Sequence, residues 1–126
     1  MPSTSTTLSS RQIGSAIEQD ACYYLIQQGL KLIKSNYSCE MGEIDLIMKD
    51  QATLVFVEVR YRKYEEYGDA LESVTPKKQR KIIRTAQYYL QQNNLYDKIA
   101  CRFDVITPAA TTQKFQWIKD AFWVKY

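Results

Sequence analysis

Residues 42–50 read GEIDLIMKD and residues 53–60 read TLVFVEVR, two strand-like runs separated only by Gln51 and Ala52. Acids inside such apolar runs need an explanation, because a buried carboxylate without a partner costs several kcal/mol or gives up its charge. With Gln51 and Ala52 at a hairpin tip, residues whose numbers sum to 103 face each other. Asp45 then lies opposite Glu58, with Cβ atoms about 4.5–5.5 Å apart. Two carboxylates so placed suit one hard, oxygen-seeking cation. Strand period two puts Arg60 on the face of Glu58. Two acids and a cation at one strand end are a minimal kit for metal-assisted phosphodiester hydrolysis.

A plainer reading of the same residues also stands. Asp45 is then a strand-end aspartate answered by backbone N–H groups or by Lys49, and Glu58 is the partner of Arg60 or Arg62 at a sheet edge. Glu43 faces Arg60 in this register, a surface pair worth under ~1 kcal/mol. What the plain reading leaves open is why both acids interrupt the most apolar runs of the chain.

Outward from the hairpin, the pattern predicts one α/β domain over residues 10–126. Residues 1–9, rich in Ser and Thr, read as a mobile tail. A helix capped by Ser9 or Ser10 runs to about Gln28 on the apolar spacing of Ile13, Ala16, Ile17, Ala21, Tyr24 and Leu25, and Gly29 follows as its stop. A strand near Leu30–Tyr37 leads through a turn at Met41 and Gly42 into the hairpin. Tyr61 to Val74 shows no period and reads as a loop. Thr75 and Pro76 are an N-cap and first-turn pair for a helix to about Asn93, with Ile82, Ile83, Ala86, Tyr89 and Leu90 on its buried stripe. Strands near Ala100–Thr107 and Phe115–Ile118 complete an αβββαβ order plus one strand, a mixed sheet flanked by helices.

The composition narrows the function. A length of 126 residues fits one core. The chain has no histidine, which removes imidazole from any triad and makes a structural zinc site improbable. Cys22, Cys39 and Cys101 are odd in number and form no C-x-x-C pair, so reduced thiols in a cytoplasmic protein are the simple expectation and thiol redox chemistry is a remote one. No secretory signal and no apolar stretch of ~18 residues is present, so no membrane partner is expected. Net charge is only +3, so the distribution of charge says more than its sum. Arg60, Arg62 and Lys63 interleave with Tyr61, Tyr64 and Tyr67. Lys77, Lys78, Arg80, Lys81 and Arg84 then crowd the second helix start, with Lys77, Lys81 and Arg84 on one face. Cations oppose the helix dipole there, whereas a phosphate would be welcomed by it. Tyrosines beside them could stack on bases. The bland alternative is a solvated charged face.

Glu18 is the third candidate acid. It lies one position past Ile17 on the first helix, and Gly14 one turn earlier leaves open space beside it. It either overhangs the sheet toward the strand acids or is a solvated helix glutamate.

RQIGSAIEQDACYYLIQQG, GEIDLIM, LVFVEVRYR, SVTPKKQRKI and CRFDVI together resemble the YraN family of small bacterial proteins, over nearly the whole chain beyond the tail. That family is similar to Holliday junction resolvases and the PD-(D/E)XK nucleases. The resemblance implies a restriction-endonuclease-like core and a metal-dependent endonuclease acting on DNA, with branched or junction structures as favoured substrates. Under it, Asp45 matches the first strand acid, Glu58 the acid of the E-x-K motif, and Glu18 the helix acid. Asp45, Glu58 and the Val59 carbonyl would bind Mg²⁺ or Mn²⁺, with Glu18 holding a second ion or a hydrated contact. Gln79 matches a supporting polar position on the second helix. Arg60 stands where lysine is usual: a guanidinium stays charged and cannot act as base, but it can stabilise a phosphoryl transition state. Tyr61, Arg62, Lys63, Lys77, Lys78, Lys81 and Arg84 would hold the strand, and a homodimer would suit symmetric cutting. The alternative class is a non-catalytic module that keeps the fold to bind nucleic acid or protein.

Overall fold

The computed structural model describes residues 10–61, 73–108 and 115–124, with side chains from Gly14 onward. The predicted tail, the body of the 61–74 loop, and with it Arg62 and Lys63, lie outside the described residues. The element order is α1 (Ser10–Gln27), β1 (Lys31–Cys39), β2 (Gly42–Asp50), β3 (Thr53–Val59), α2 (Pro76–Gln92), β4 (Ala100–Pro108) and β5 (Phe115–Phe122). The five strands form one sheet in the order β1-β2-β3-β4-β5. Only β3 and β4 run parallel, as a crossover through α2 requires. This is the mixed α/β sheet with flanking helices that the sequence predicts.

The strands bury both faces. Ile44, Ile47, Leu54, Phe56, Phe103 and Val105 pack with Ile82, Ala86, Tyr89 and Leu90 of α2. Leu46, Met48, Val55, Val57 and Ile106 pack on the other face with Ala21 and Leu25 of α1. Helix ends follow the expected chemistry. Thr75 Oγ1 accepts the Lys78 N–H at 3.3 Å and Pro76 opens α2. Gly29 closes α1 with φ 105, a value that favours glycine.

Four details depart from the sequence reading. Ala16 is exposed, so the buried stripe of α1 is narrower than its spacing suggests. Thr85 joins the buried face of α2, while Ile83 is only half-buried. β5 continues past Ile118 to Phe122, which stacks on Phe103 with ring centroids 5.0 Å apart. Gly42 does more than turn the chain: at φ 149, an added Cβ would meet Thr85 Oγ1 at 3.0 Å. That hydroxyl is already committed to the Lys81 carbonyl at 2.8 Å, so Gly42 is a point of close approach between β2 and α2.

Both edges of the sheet are irregular. β1 shifts register between Leu32 and Lys34, and Asn36 within it has φ 54. On the far edge the β4–β5 register shifts between Phe103 and Val105, and Asp120 has φ 54. Asp104, fully buried at that shift, gathers four donors. It accepts from Arg102 Nε at 3.0 Å, from Arg102 Nη2, from Trp117 Nε1 at 2.9 Å and from the Asp120 N–H at 3.0 Å. Arg102 also reaches Asp50 at 2.9 Å, tying the end of β2 to β4 across β3.

Asp104→Ala leaves a guanidinium, an indole N–H and a backbone N–H without their acceptor; it is expected to cost about 3–5 kcal/mol, read as a fall in the urea midpoint. Gly42→Ala pushes on the α2 contact and is expected to cost about 1–2 kcal/mol by the same measurement.

Candidate metal and phosphate site

The hairpin register is the predicted one: Leu46 pairs with Val57, Met48 with Val55 and Asp50 with Thr53. At the next step the regular ladder ends. The Asp45 carboxylate takes over, with Oδ2 accepting the Val59 N–H at 2.8 Å. The cause lies partly in β1. Ser35 pairs with Leu46 and Tyr37 with Ile44, leaving left-handed Asn36 across from Asp45. Asparagine tolerates that conformation better than most residues. The side-chain alternation of β2 breaks at the same place, since Ile44 packs under α2 and Leu46 under α1. Asp45 thus sits at the mouth of the opened hairpin, where both helices come near.

Glu58 follows Phe56 by two residues and shares its α2 face. Its side chain is only 15% exposed. It is hydrogen-bonded to Asp45, and burial followed by the Asp45 charge raises its pKa to about 8, against weaker pulls from Arg60 and Lys78. Asp45 is raised as well, by burial first, with the Val59 N–H and the Glu58 hydrogen bond working the other way. Two like carboxyls in one dry site cannot both ionise freely. Burial and mutual repulsion therefore push both carboxyls toward their neutral forms.

Arg60 is fixed by three bonds. Its backbone N–H donates to the Ile106 carbonyl at 2.8 Å, continuing the parallel ladder. Its Nε donates to Ser73 Oγ at 3.0 Å and its Nη1 approaches Glu58 Oε2 at 3.4 Å. The guanidinium thus turns to Glu58 and Ser73 rather than to Glu43, the partner the extrapolated register assigns. Gln79 donates from Nε2 to the Val74 carbonyl at 3.0 Å, bracing the residue between Ser73 and the Thr75 cap. It supports the strut that holds Arg60.

Glu18 is half-buried, and burial, then Asp45, then Glu43 raise its pKa. The first helix therefore does bring its acid within electrostatic reach of Asp45. Nothing lies within 4 Å of where a Cβ on Gly14 would stand, so the open space predicted beside Glu18 is present. Among the described residues, no three His, Cys, Asp or Glu side chains converge closely enough to form a ready metal cage. The acids near one another are Asp45 and Glu58, with Glu18 close enough to feel the Asp45 charge. Magnesium is commonly held by one or two carboxylates, with water and substrate phosphate completing its shell. A divalent cation would also relieve the repulsion between the two carboxyls. The residues present fit such an ion.

Lys77, Lys78, Arg80, Lys81 and Arg84 are all exposed, as is Tyr61. Lys78 is near enough for its charge to act on Glu58, which joins the basic helix start to the acid pair. The plain reading of the acids is partly met, since Asp45 does take a backbone N–H and Glu58 does approach Arg60. It leaves the raised pKa values of three neighbouring acids unexplained. The three cysteines are free thiols. Burial pushes Cys22 and Cys101 up, which makes them poorer nucleophiles.

Glu58 also sets a pH dependence. Its folded pKa lies above the unfolded value of 4.5, so between those values the native state binds the extra proton and stability falls as pH rises. The contribution is intact below about pH 4.5 and gone above about pH 8. In metal-free buffer, Glu58→Gln is expected to flatten the melting temperature between pH 5 and 8 and to raise it at pH 8, by a few kcal/mol of stability at most. Thermal denaturation at both pH values with a chelator present checks this.

Comparison with known proteins places this site in a family. Residues 17–107, which include Glu18, both hairpin acids and all of α2, match the uncharacterised protein family UPF0102. A UPF0102 protein of Coxiella burnetii is 49% identical over 117 residues, covering 93% of this chain and 97% of that one. One from Nitrosococcus oceani is 48% identical, covering 91% and 94%. One from Psychromonas ingrahamii is 50% identical over 113 residues, covering 90% and 91%. Those names state no activity. No helix among the described residues is long and apolar enough to cross a membrane. On the extent of these matches, the chain belongs to the UPF0102 family.

Proposed function

We propose that this protein is a metal-dependent endonuclease that hydrolyses phosphodiester bonds in DNA, with branched structures as its favoured substrates. The observation that carries the reading is the Asp45–Glu58 pair: two largely buried carboxyls side by side at an opened strand end, beside an anchored guanidinium. A structural ion pair has no use for two acids in mutual contact, whereas a cation site does.

In this reading Asp45, Glu58 and the Val59 carbonyl hold Mg²⁺ or Mn²⁺. In a strand, a residue's N–H and C=O are directed to the same side, which puts the Val59 carbonyl on the side where its N–H meets Asp45. The bound ion supplies Lewis-acid polarisation of the phosphate and a more acidic water. Glu58 gives up its proton when the site is loaded. Glu18 holds a hydrated contact or a second ion. Arg60, kept in place by Ser73, neutralises charge developing on the phosphate oxygens. Gln79 acts by position, through Val74. The exposed cations of α2 hold the flanking phosphates, with Tyr61, Arg62 and Lys63 following from β3. Two chains acting as a pair would supply the two sites that symmetric cutting needs.

The test is cleavage of a labelled four-way junction, flap, single strand and plain duplex with Mg²⁺ or Mn²⁺. Wild type is expected to cut in a metal-dependent way, and Asp45→Ala and Glu58→Ala to lose the activity. The metal should raise the melting temperature by binding the folded state, and Asp45→Asn should abolish that rise. A folded wild type that neither cuts nor gains stability from metal, yet binds DNA, would make the fold a non-catalytic binding module.

A further inference from the structure

A concavity lies on the exposed side of α2. It has a volume of about 380 Å³ and lies between α2 and the chain just past β5, lined by Arg80, Arg84, Gln79, Gln87, Ile83 and Trp123 among others. That is within the size range of small-ligand sites, roughly 300–1,000 Å³. Arg80, Ile83, Arg84 and Gln87 follow the spacing of one helical face, and Arg84 also belongs to the row of Lys77 and Lys81. Trp123 is 62% exposed, a large indole left uncovered at the rim of a basic hollow. Gln79 belongs to this wall and also braces Val74, next to the Ser73 that anchors Arg60.

We infer that this concavity is a subsite for one unpaired nucleotide of the nucleic-acid strand, with the base stacked on Trp123 and flanking phosphates on Arg80 and Arg84. The chemistry selects that class of ligand. Two guanidiniums one helical step apart call for anionic oxygens, which they grip bidentately. An uncovered indole beside an apolar floor calls for a flat π-face, and Gln79 and Gln87 offer donors and acceptors to its edge. A nucleotide combines all three; an acidic peptide supplies only the first. Bases inside a duplex are already stacked and paired, so the subsite favours strands with unpaired residues. The inference rests on the nucleic-acid reading above and narrows it.

The test is fluorescence anisotropy of labelled oligonucleotides of about 16 nucleotides, single-stranded and duplex, with Ca²⁺ present and Mg²⁺ and Mn²⁺ withheld. Trp123→Ala, at an exposed position, is expected to fold normally and to weaken single-strand binding by about tenfold or more, leaving duplex affinity unchanged. Arg80→Gln with Arg84→Gln is expected to reduce the slope of log Kd against log salt by about 1.4, roughly 0.7 for each lost phosphate contact. Folded Trp123→Ala protein that binds single strands as tightly as wild type would overturn the subsite and leave the nuclease reading intact. Loss of single-strand affinity in that variant, in a protein that never cuts, would keep the subsite and remove the activity. Absence of nucleic-acid binding by wild type would remove both.

Discussion

The Asp45 carboxylate does the work of a backbone carbonyl, and most of the candidate site follows from that substitution. By accepting the Val59 N–H it lets β2 and β3 part after Leu46 and Val57 without leaving a buried donor orphaned. The parting makes room for a second carboxyl, and Glu58 occupies it. Because β3 stays in ladder with β4 through the Arg60 N–H, the opening faces β2 alone. Arg60 then reaches the segment that leads into α2, whose cap and first turn bring Lys78 toward Glu58. One side-chain-to-backbone bond thus determines where acid, guanidinium and helix start meet.

The sheet uses the same device twice, with opposite electrostatic outcomes. Asp104 also replaces a ladder bond where the strand register shifts, but it receives Arg102, Trp117 and the Asp120 N–H around both oxygens. Its demands are met from within the chain. Asp45 receives one backbone N–H and lies against a second carboxyl, that of Glu58. A buried acid with complete partners holds a fold together, whereas one whose best partner is another acid is unfinished without a cation. The contrast within one small sheet separates an aspartate whose partners are complete from one whose partners are not, more sharply than burial does.

How much of this the sequence reveals depends on how local each interaction is. The hairpin register was legible because a two-residue tip fixes every pair by arithmetic, and both α2 termini because Thr75, Pro76 and Asn93 act on their own neighbours. Glu58 stood out by interrupting an apolar run. Asp104 interrupts one as well, in CRFDVITP, and Arg102 stands two residues before it, yet its other partners, Trp117 and the Asp120 N–H, come from β5 and no local spacing announces them. Gly42 looked like turn chemistry because its actual constraint, the Thr85 hydroxyl, lies 43 positions along the chain. Ala16 fits helical spacing but stays exposed, since α1 packs on the sheet along Ile17, Ala21, Tyr24 and Leu25. Trp123 carries no periodic signal at all, and only the packing of β5 beside α2 gives it a setting. The assignment of Gln79 came from resemblance; its bond to Val74 shows how a residue that touches neither acid can still matter to them.

The irregular margins of the sheet have a consequence for the protein in crowded solution. β1 leaves Leu32 and Ile33 open to water, and a flat strand of that kind would template the addition of foreign strands. The shift around Ile33 and the left-handed Asn36 divide it into segments of a few residues. A visiting strand in register with one segment is out of register with the next. On the opposite margin, Asp120 interrupts β5 in the same way. The kink that positions Asp45 therefore also guards the chain against amyloid-like growth, and straightening it would endanger solubility along with the site.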